Sequence, residues 1–160
     1  MLITHTQPVT ERVLQASPDL GLVVICRGGP VNADIDAATA AGVMVTNTPG
    51  RNANATTEHS LGMILAATRQ ISQRDAELKA GQWRTDYYQY DEVGPEIFGS
   101  TVGLVGYGAI GRRVTAALVA MGAQVLVFDP FLKEALPEGV ELVDELDDLL
   151  RRSAILTIHA

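Results

Sequence analysis

The sequence predicts an α/β fold made of two parallel-sheet domains. Three observations carry this. Runs rich in apolar residues, Leu22–Cys26, Val43–Asn47, Val102–Val105, Val125–Phe128 and Ala154–Ile158, have strand length. Segments with helical spacing lie between most of them, and such alternation favours parallel strands joined by helices. A break at Thr48-Pro49-Gly50-Arg51-Asn52 interrupts the alternation, so we place a domain junction there, between segments 1–52 and 53–160.

In chain order, Leu2–Thr6 is a brief strand. Pro8 starts a helical segment whose Val9, Val13 and Leu14 share a face, and Pro18 stops it. Leu22–Cys26 is continuously apolar, as expected of a strand buried on both sides of a parallel sheet. Arg27-Gly28-Gly29-Pro30-Val31-Asn32 is a turn by composition. Asp34–Ala41 is a short alanine-rich helix stopped by Gly42, and Val43–Asn47 is the next strand. One long helix is expected from about Asn54 to Lys79, with Leu61, Ile64, Leu65 and Ile71 on its apolar face. Asn54 or a nearby threonine caps it, Glu58 sits in its first turn, and Gly81 closes it. Gln82–Gly99 is irregular and polar, a surface strap anchored by Trp83, Tyr87, Tyr88 and Tyr90.

The strand Val102–Val105 runs into Gly106-x-Gly108-x-x-Gly111. A helix follows from Ile110, with Val114, Ala117, Leu118 and Met121 on one face. Val125–Phe128 is a second strand ending on Asp129, and Pro130 prevents its continuation. Asp144–Arg152 is a short helix and Ala154–Ile158 a third strand, followed by His159. This is the layout of a Rossmann-like dinucleotide-binding unit. A pyrophosphate carries charge that must be met without bulky side chains. Gly106 permits the tight turn, Gly108 lets the backbone approach the phosphates, and Gly111 lets helix and strand pack closely. The unpaired amides around Ala109 and Ile110 face the phosphates at the positive end of the helix. Asp129, eighteen positions beyond Gly111, is placed to accept both adenosine ribose hydroxyls. Its charge repels a 2′-phosphate, so NAD is expected rather than NADP.

Bulk properties exclude other classes. The formal net charge is −7, and Lys79 and Lys133 are the only lysines, which argues against nucleic acid as a partner. The single cysteine, Cys26, cannot form an internal disulfide and is expected as a buried thiol in a reducing compartment. The first residues lack the features of a signal peptide, and no stretch reaches the ~18 apolar residues of a membrane span. A soluble cytoplasmic protein without a metal site is expected.

Beyond the glycine pattern, longer stretches resemble the D-isomer-specific 2-hydroxyacid dehydrogenase family. They are Cys-Arg-Gly-Gly-Pro-Val-Asn at 26–32, Ala-Ala-Thr-Ala-Ala-Gly-Val at 37–43, Asn-Thr-Pro-Gly-Arg-Asn at 47–52, Thr-Glu-His-Ser-Leu-Gly-Met-Ile-Leu-Ala at 57–66, Asp129-Pro130, and Leu-Thr-Ile-His at 156–159. The resemblance implies an NAD-dependent oxidoreductase of a small 2-hydroxy or 2-oxo acid, built of two similar α/β domains flanking a cleft and both incomplete here. It maps Arg27, Gly28, Gly29 and Val31 to a loop whose backbone amides hold the substrate carboxylate, although Pro30 offers no amide. Asn32 stands where an acidic residue is common. The resemblance makes His159 a supporting NAD contact. It implies that the family's catalytic arginine, acid and histidine lie outside these residues, so none of His5, His59 and His159 is assigned as proton carrier. Arg51 reads as an exposed loop residue, with reach into the cleft from the junction as the alternative. A homodimer formed through the long helix and the strap is implied for the full-length protein. A non-catalytic NAD sensor or scaffold on the same fold is the alternative.

Overall fold

The computed structural model describes residues 1–160, which divide into two compact units, Met1–Asn52 and Ala53–Ala160. In the first unit, β1 (Leu2–Thr4), β2 (Leu22–Ile25) and β3 (Met44–Asn47) form a three-stranded sheet in the order β1-β2-β3, all parallel. Helices α1 (Glu11–Gln15) and α2 (Ile35–Ala40) supply Leu14 and Ala38 to a cluster with Val23, Ile25 and Val43. Asp34 caps α2, its carboxylate accepting the Ala37 amide at 2.9 Å.

Two expectations change here. Val9 lies outside the helix, in extended backbone bridged to Ala33, because Thr10 is the capping position. And β2 is buried on one side only: Val23 and Ile25 are inaccessible, while Leu22 and Val24 are half-buried. Both helices feed the same cluster, which leaves Ile3 and Met44 exposed. Cys26 is half-buried rather than enclosed.

The second unit holds α3 (Ala53–Thr68), α4 (Ile71–Lys79), β4 (Thr101–Val105), α5 (Gly111–Ala120), β5 (Gln124–Phe128), β6 (Val140–Leu142), α6 (Leu146–Arg152) and β7 (Ile155–Ile158). Its four strands run parallel in the order β6-β5-β4-β7. The chain therefore builds outward from β4 through β5 to β6 and then returns to β4's other side, so the strand order reverses at β4. In a doubly wound sheet ligands bind beyond the carboxyl ends of the strands at that point. One face packs Val102, Leu104, Val125 and Val127 against Val114 and Leu118 of α5 and Ile64 of α3. The other packs Leu126 against Val143 and Leu149. Each fully buried leucine, such as Leu104 or Leu118, contributes about 1.5–3 kcal/mol. On α5 the buried stripe is Gly111, Val114, Thr115 and Leu118, and the expected Met121 is exposed. Gly103, central in β4, is a second close-packing glycine: a Cβ there would lie 2.2 Å from Ser153 Oγ and 2.6 Å from Leu149 Cδ2.

The expected single helix over 54–79 is two helices. Gln70 adopts a left-handed conformation (φ 54°) between them. Gly94 of the strap lies against the end of α3, so that a Cβ on it would fall 1.7 Å from the Thr68 carbonyl oxygen, and Arg69 donates to the Gly94 carbonyl at 3.3 Å. Because α3 begins at Ala53, Glu58 falls past the first turn, which carries no acid. The short β6, Val-Glu-Leu, is an element the sequence reading leaves out. No helix is long and apolar enough to cross a membrane.

The strap is anchored by one aromatic, not four. Trp83, Tyr88 and Tyr90 are exposed. Tyr87 instead donates its hydroxyl to Glu77 at 2.9 Å under the Arg74 guanidinium, 4.3 Å from the ring centre. Arg84 pairs with Asp86 and Glu92, both at 2.6 Å, and Arg74 donates to the Glu92 carbonyl at 2.7 Å. The Tyr87 hydroxyl, then Gln73 and Arg74, hold the Glu77 carboxyl below its ordinary 4.5. A lowered carboxylate pKa contributes stability above the unfolded value and loses it as pH falls through the folded one. Tyr87→Phe is therefore expected to loosen the strap at pH 7, accelerating limited chymotrypsin cleavage within 82–99 several-fold. It should also shrink the acid-induced rise in cleavage expected below about pH 4.5, followed there with the acid-active protease pepsin. Equal cleavage of variant and wild type at both pH values would remove Tyr87 as the anchor.

Candidate functional site

Strand register gathers the sequence-predicted cofactor residues. Val105 of β4 is level with Phe128 of β5 and with Ile158 of β7. The next residue on each strand is Gly106, Asp129 and His159, so all three emerge together at the carboxyl edge. Gly106 donates to the Phe128 carbonyl at 2.9 Å and His159 to that of Val105 at 2.7 Å. Gly106 has φ +89°, and a Cβ on it would lie 2.8 Å from His159 carbonyl carbon. On Gly111 a Cβ would lie 2.1 Å from the Gly106 carbonyl oxygen. A Cβ on Gly108 would meet nothing within 4 Å, so that side of the backbone is open to an incoming group.

The helix α5 starts at Gly111, with Ile110 at the capping position and no side chain capping it. The amides of Gly108, Ala109, Ile110 and Gly111 donate to no protein group. Four free N–H groups at the positive end of a helix, with glycine leaving the approach clear, fit a pyrophosphate. Asp129 is fixed beside them. Its Oδ2 accepts the Tyr107 amide at 2.8 Å and its Oδ1 accepts the Phe131 amide at 2.9 Å. Each oxygen keeps a further lone pair, so the carboxylate braces the turn and can still accept ribose hydroxyls.

A cleft of about 380 Å³ opens next to Asp129, lined also by Tyr107, Arg112, Phe131, Lys133 and Glu134. Arg112, Glu134 and Tyr107 are absent from the sequence-predicted site, since nothing in their spacing marks them; only the fold turns them toward Asp129. Thr157 Oγ1 lies 2.9 Å from His159 Nε2, and burial pushes the His159 imidazole below its ordinary 6.5, which keeps it neutral at pH 7. A larger cleft of about 620 Å³ lies at the opposite ends of the strands, around Thr101, Gln124 and the Arg152–Glu141 ion pair. It is remote from the carboxyl edge where such sheets bind ligands.

In the first unit, Arg27, Gly28, Gly29 and Val31 line a separate cleft of about 450 Å³ with His5, Thr6, Arg51 and Asn52. The Arg27 amide already donates to the Ile25 carbonyl at 2.8 Å, so only those of Gly28, Gly29 and Val31 remain free. Asn47 Nδ2 donates to the Gly28 carbonyl at 2.7 Å and thereby fixes the loop. Arg51 is an exposed turn residue that also borders this cleft, its Nη2 3.2 Å from His5 Nε2. No carboxylate lines it, so it suits an anion. His59 is exposed on α3.

Residues 61–160 match the D-isomer specific 2-hydroxyacid dehydrogenase, NAD binding domain. The chain belongs to this family. It carries the family's NAD-binding domain, and NAD is its cofactor. Over 161 residues it is 42% identical to the D-3-phosphoglycerate dehydrogenase of Mycobacterium leprae and 38% identical to that of Archaeoglobus fulgidus. Each comparison covers 99% of this chain and 30% of the relative, so the chain spans about 30% of the length of these curated relatives. The crystal structure of D-lactate dehydrogenase from Aquifex aeolicus with NAD and lactic acid superposes with a TM-score of 0.85 at 28% identity. That match covers 95% of this chain and 45% of the other.

Proposed function

We infer that the chain supplies the NAD-binding domain, 53–160, and part of a substrate-binding domain, 1–52, of an NAD-dependent oxidoreductase that interconverts a small 2-hydroxy acid and its 2-oxo acid. On this reading both units are Rossmann-like parallel-sheet domains present in part. The observation that carries it is the set of four free amides beside the braced Asp129 carboxylate, in a member of this family. Gly106, Gly108, Ala109, Ile110 and Gly111 shape the turn that holds the pyrophosphate, and Asp129 accepts the adenosine ribose hydroxyls. His159 flanks the turn as a neutral supporting contact. The bound NAD supplies the hydride acceptor or donor. In the first unit, the amides of Gly28, Gly29 and Val31 receive the substrate carboxylate, with the Arg27 and Arg51 side chains supplying positive charge. No residue of this chain is assigned as the proton carrier.

The full-length protein is proposed to form a homodimer through α3 and the strap, where Met63, Trp83, Tyr88 and Tyr90 are exposed. The functional reading is tested by titrating the full-length protein with NADH and then assaying NADH formation with a panel of D-2-hydroxy acids. Saturable NADH binding and turnover of at least one acid are expected. Absence of binding overturns the cofactor site. Binding without turnover of any acid overturns the oxidoreductase and leaves a NAD-binding sensor.

A further inference from the structure

Within the cleft beside Asp129, charge is balanced: Asp129 and Glu134 face Arg112 and Lys133. Arg112 and Asp129 grip the same residue from two sides. The Tyr107 amide donates to Asp129 Oδ2 at 2.8 Å, and the Tyr107 carbonyl accepts from Arg112 Nη2 at 3.4 Å. The guanidinium therefore stands one residue's width from the carboxylate assigned to the ribose. Its Nε reaches the Gly108 carbonyl at 3.3 Å, and its Cζ lies 5.4 Å from the Tyr107 ring centre. Glu134 Oε1 takes up Nη2 at 2.7 Å. The two side chains are 45% and 54% exposed, so this is a surface pair of small net worth.

We propose that Glu134 is a cofactor-specificity residue: by occupying Arg112 it withholds the guanidinium that would otherwise bind an adenosine 2′-phosphate beside Asp129. The proposal rests on the adenosine ribose lying at Asp129. With ribose hydroxyls in place the cleft stays balanced. A 2′-phosphate brings about two negative charges into it, against two carboxylates, with Arg112 already engaged and Lys133 the one cation left unpaired. Neutralising Glu134 leaves Arg112's planar fork free to take the phosphate in a two-point contact. Discrimination is thus divided between Asp129, which repels directly, and Glu134, which keeps the compensating cation occupied.

The test uses 5′-AMP and adenosine 2′,5′-bisphosphate, which differ only in the 2′-phosphate, titrated calorimetrically into the full-length protein. Wild type, Glu134→Gln, Arg112→Gln and the double variant are compared, with thermal melts verifying that each retains its fold. Glu134→Gln is expected to tighten the bisphosphate roughly two- to fivefold, a size set by the worth of a surface ion pair. Affinity for 5′-AMP should be unchanged, and the gain should vanish in the double variant. An unchanged ratio in Glu134→Gln overturns the proposal, as does a gain that survives without Arg112. If wild type binds 5′-AMP and the ratio fails to move, the ribose assignment stands and only the role of Glu134 falls. If wild type binds neither nucleotide, the ribose assignment fails and the proposal with it.

Discussion

Replacing Gly111 with alanine is expected to remove stability and NAD affinity together. The new Cβ would lie 2.1 Å from the Gly106 carbonyl oxygen and 3.2 Å from Leu104 Cδ2. The first obstacle is backbone, with no flexible side chain to move aside, so the start of α5 must lift from β4. Overpacking of this kind is expected to destabilise by about 3 kcal/mol. The free amides of Gly108, Ala109, Ile110 and Gly111 move with the helix end, and NADH affinity should fall at least roughly tenfold, the loss of about one charge-assisted hydrogen bond. Gly108→Ala is the informative contrast. Its Cβ meets nothing within 4 Å in the protein, so the melting temperature should hold while NADH binding weakens, because the methyl occupies the ligand's side of the turn. Melts and NADH titrations of both variants decide the matter. A Gly111→Ala protein with wild-type melting and binding would show that the turn tolerates a wider helix–strand spacing than the structure has.

Asp129→Ala should be the second large effect. The carboxylate accepts two backbone amides, from Tyr107 and Phe131, before any ligand arrives. Removing it leaves both amides without acceptors and takes away the proposed partner of the ribose hydroxyls. Hydrogen bonds to a charged group are worth about 1.5–3 kcal/mol, so NADH affinity is expected to drop roughly 10- to 100-fold. NADPH should lose much less, because its 2′-phosphate escapes the carboxylate's repulsion. Asp129→Asn keeps one oxygen for the turn and is expected to melt closer to wild type while still losing NAD preference. Should Asp129→Ala bind NADH as wild type does, the carboxylate is a brace for the turn and nothing more.

Much of the second unit was legible in the sequence because its signals are local. The run Val102–Val105, the three glycines and the run Val125–Phe128 each have short-range causes, and they appear in the structure within one or two residues of the expected places. The single helix over 54–79 was not resolvable this way. Arg69 and Gln70 are good helix formers, and the break is imposed by the strap, whose Gly94 packs on the Thr68 carbonyl from 26 positions away. The aromatic strap misled for a related reason. Four aromatics look alike in composition, but only Tyr87 finds an acid and two arginines beneath it.

By itself the sequence determined the chemistry of the cofactor turn: glycines where backbone must be bare, an acid at the tip of the following strand, and residue types sufficient to place the chain in its family. Those are properties of single positions and fixed spacings. Only the tertiary structure decided which residues stand together. Parallel register sets Gly106, Asp129 and His159 side by side, although up to 53 positions separate them. It also brings Arg112 and Glu134, unremarkable in sequence, to the same cleft, and aligns Arg51 with the loop at Arg27. Spacing along a chain fixes what one segment can do. The pairing of strands and the packing of helices on them fix which segments act on the same ligand.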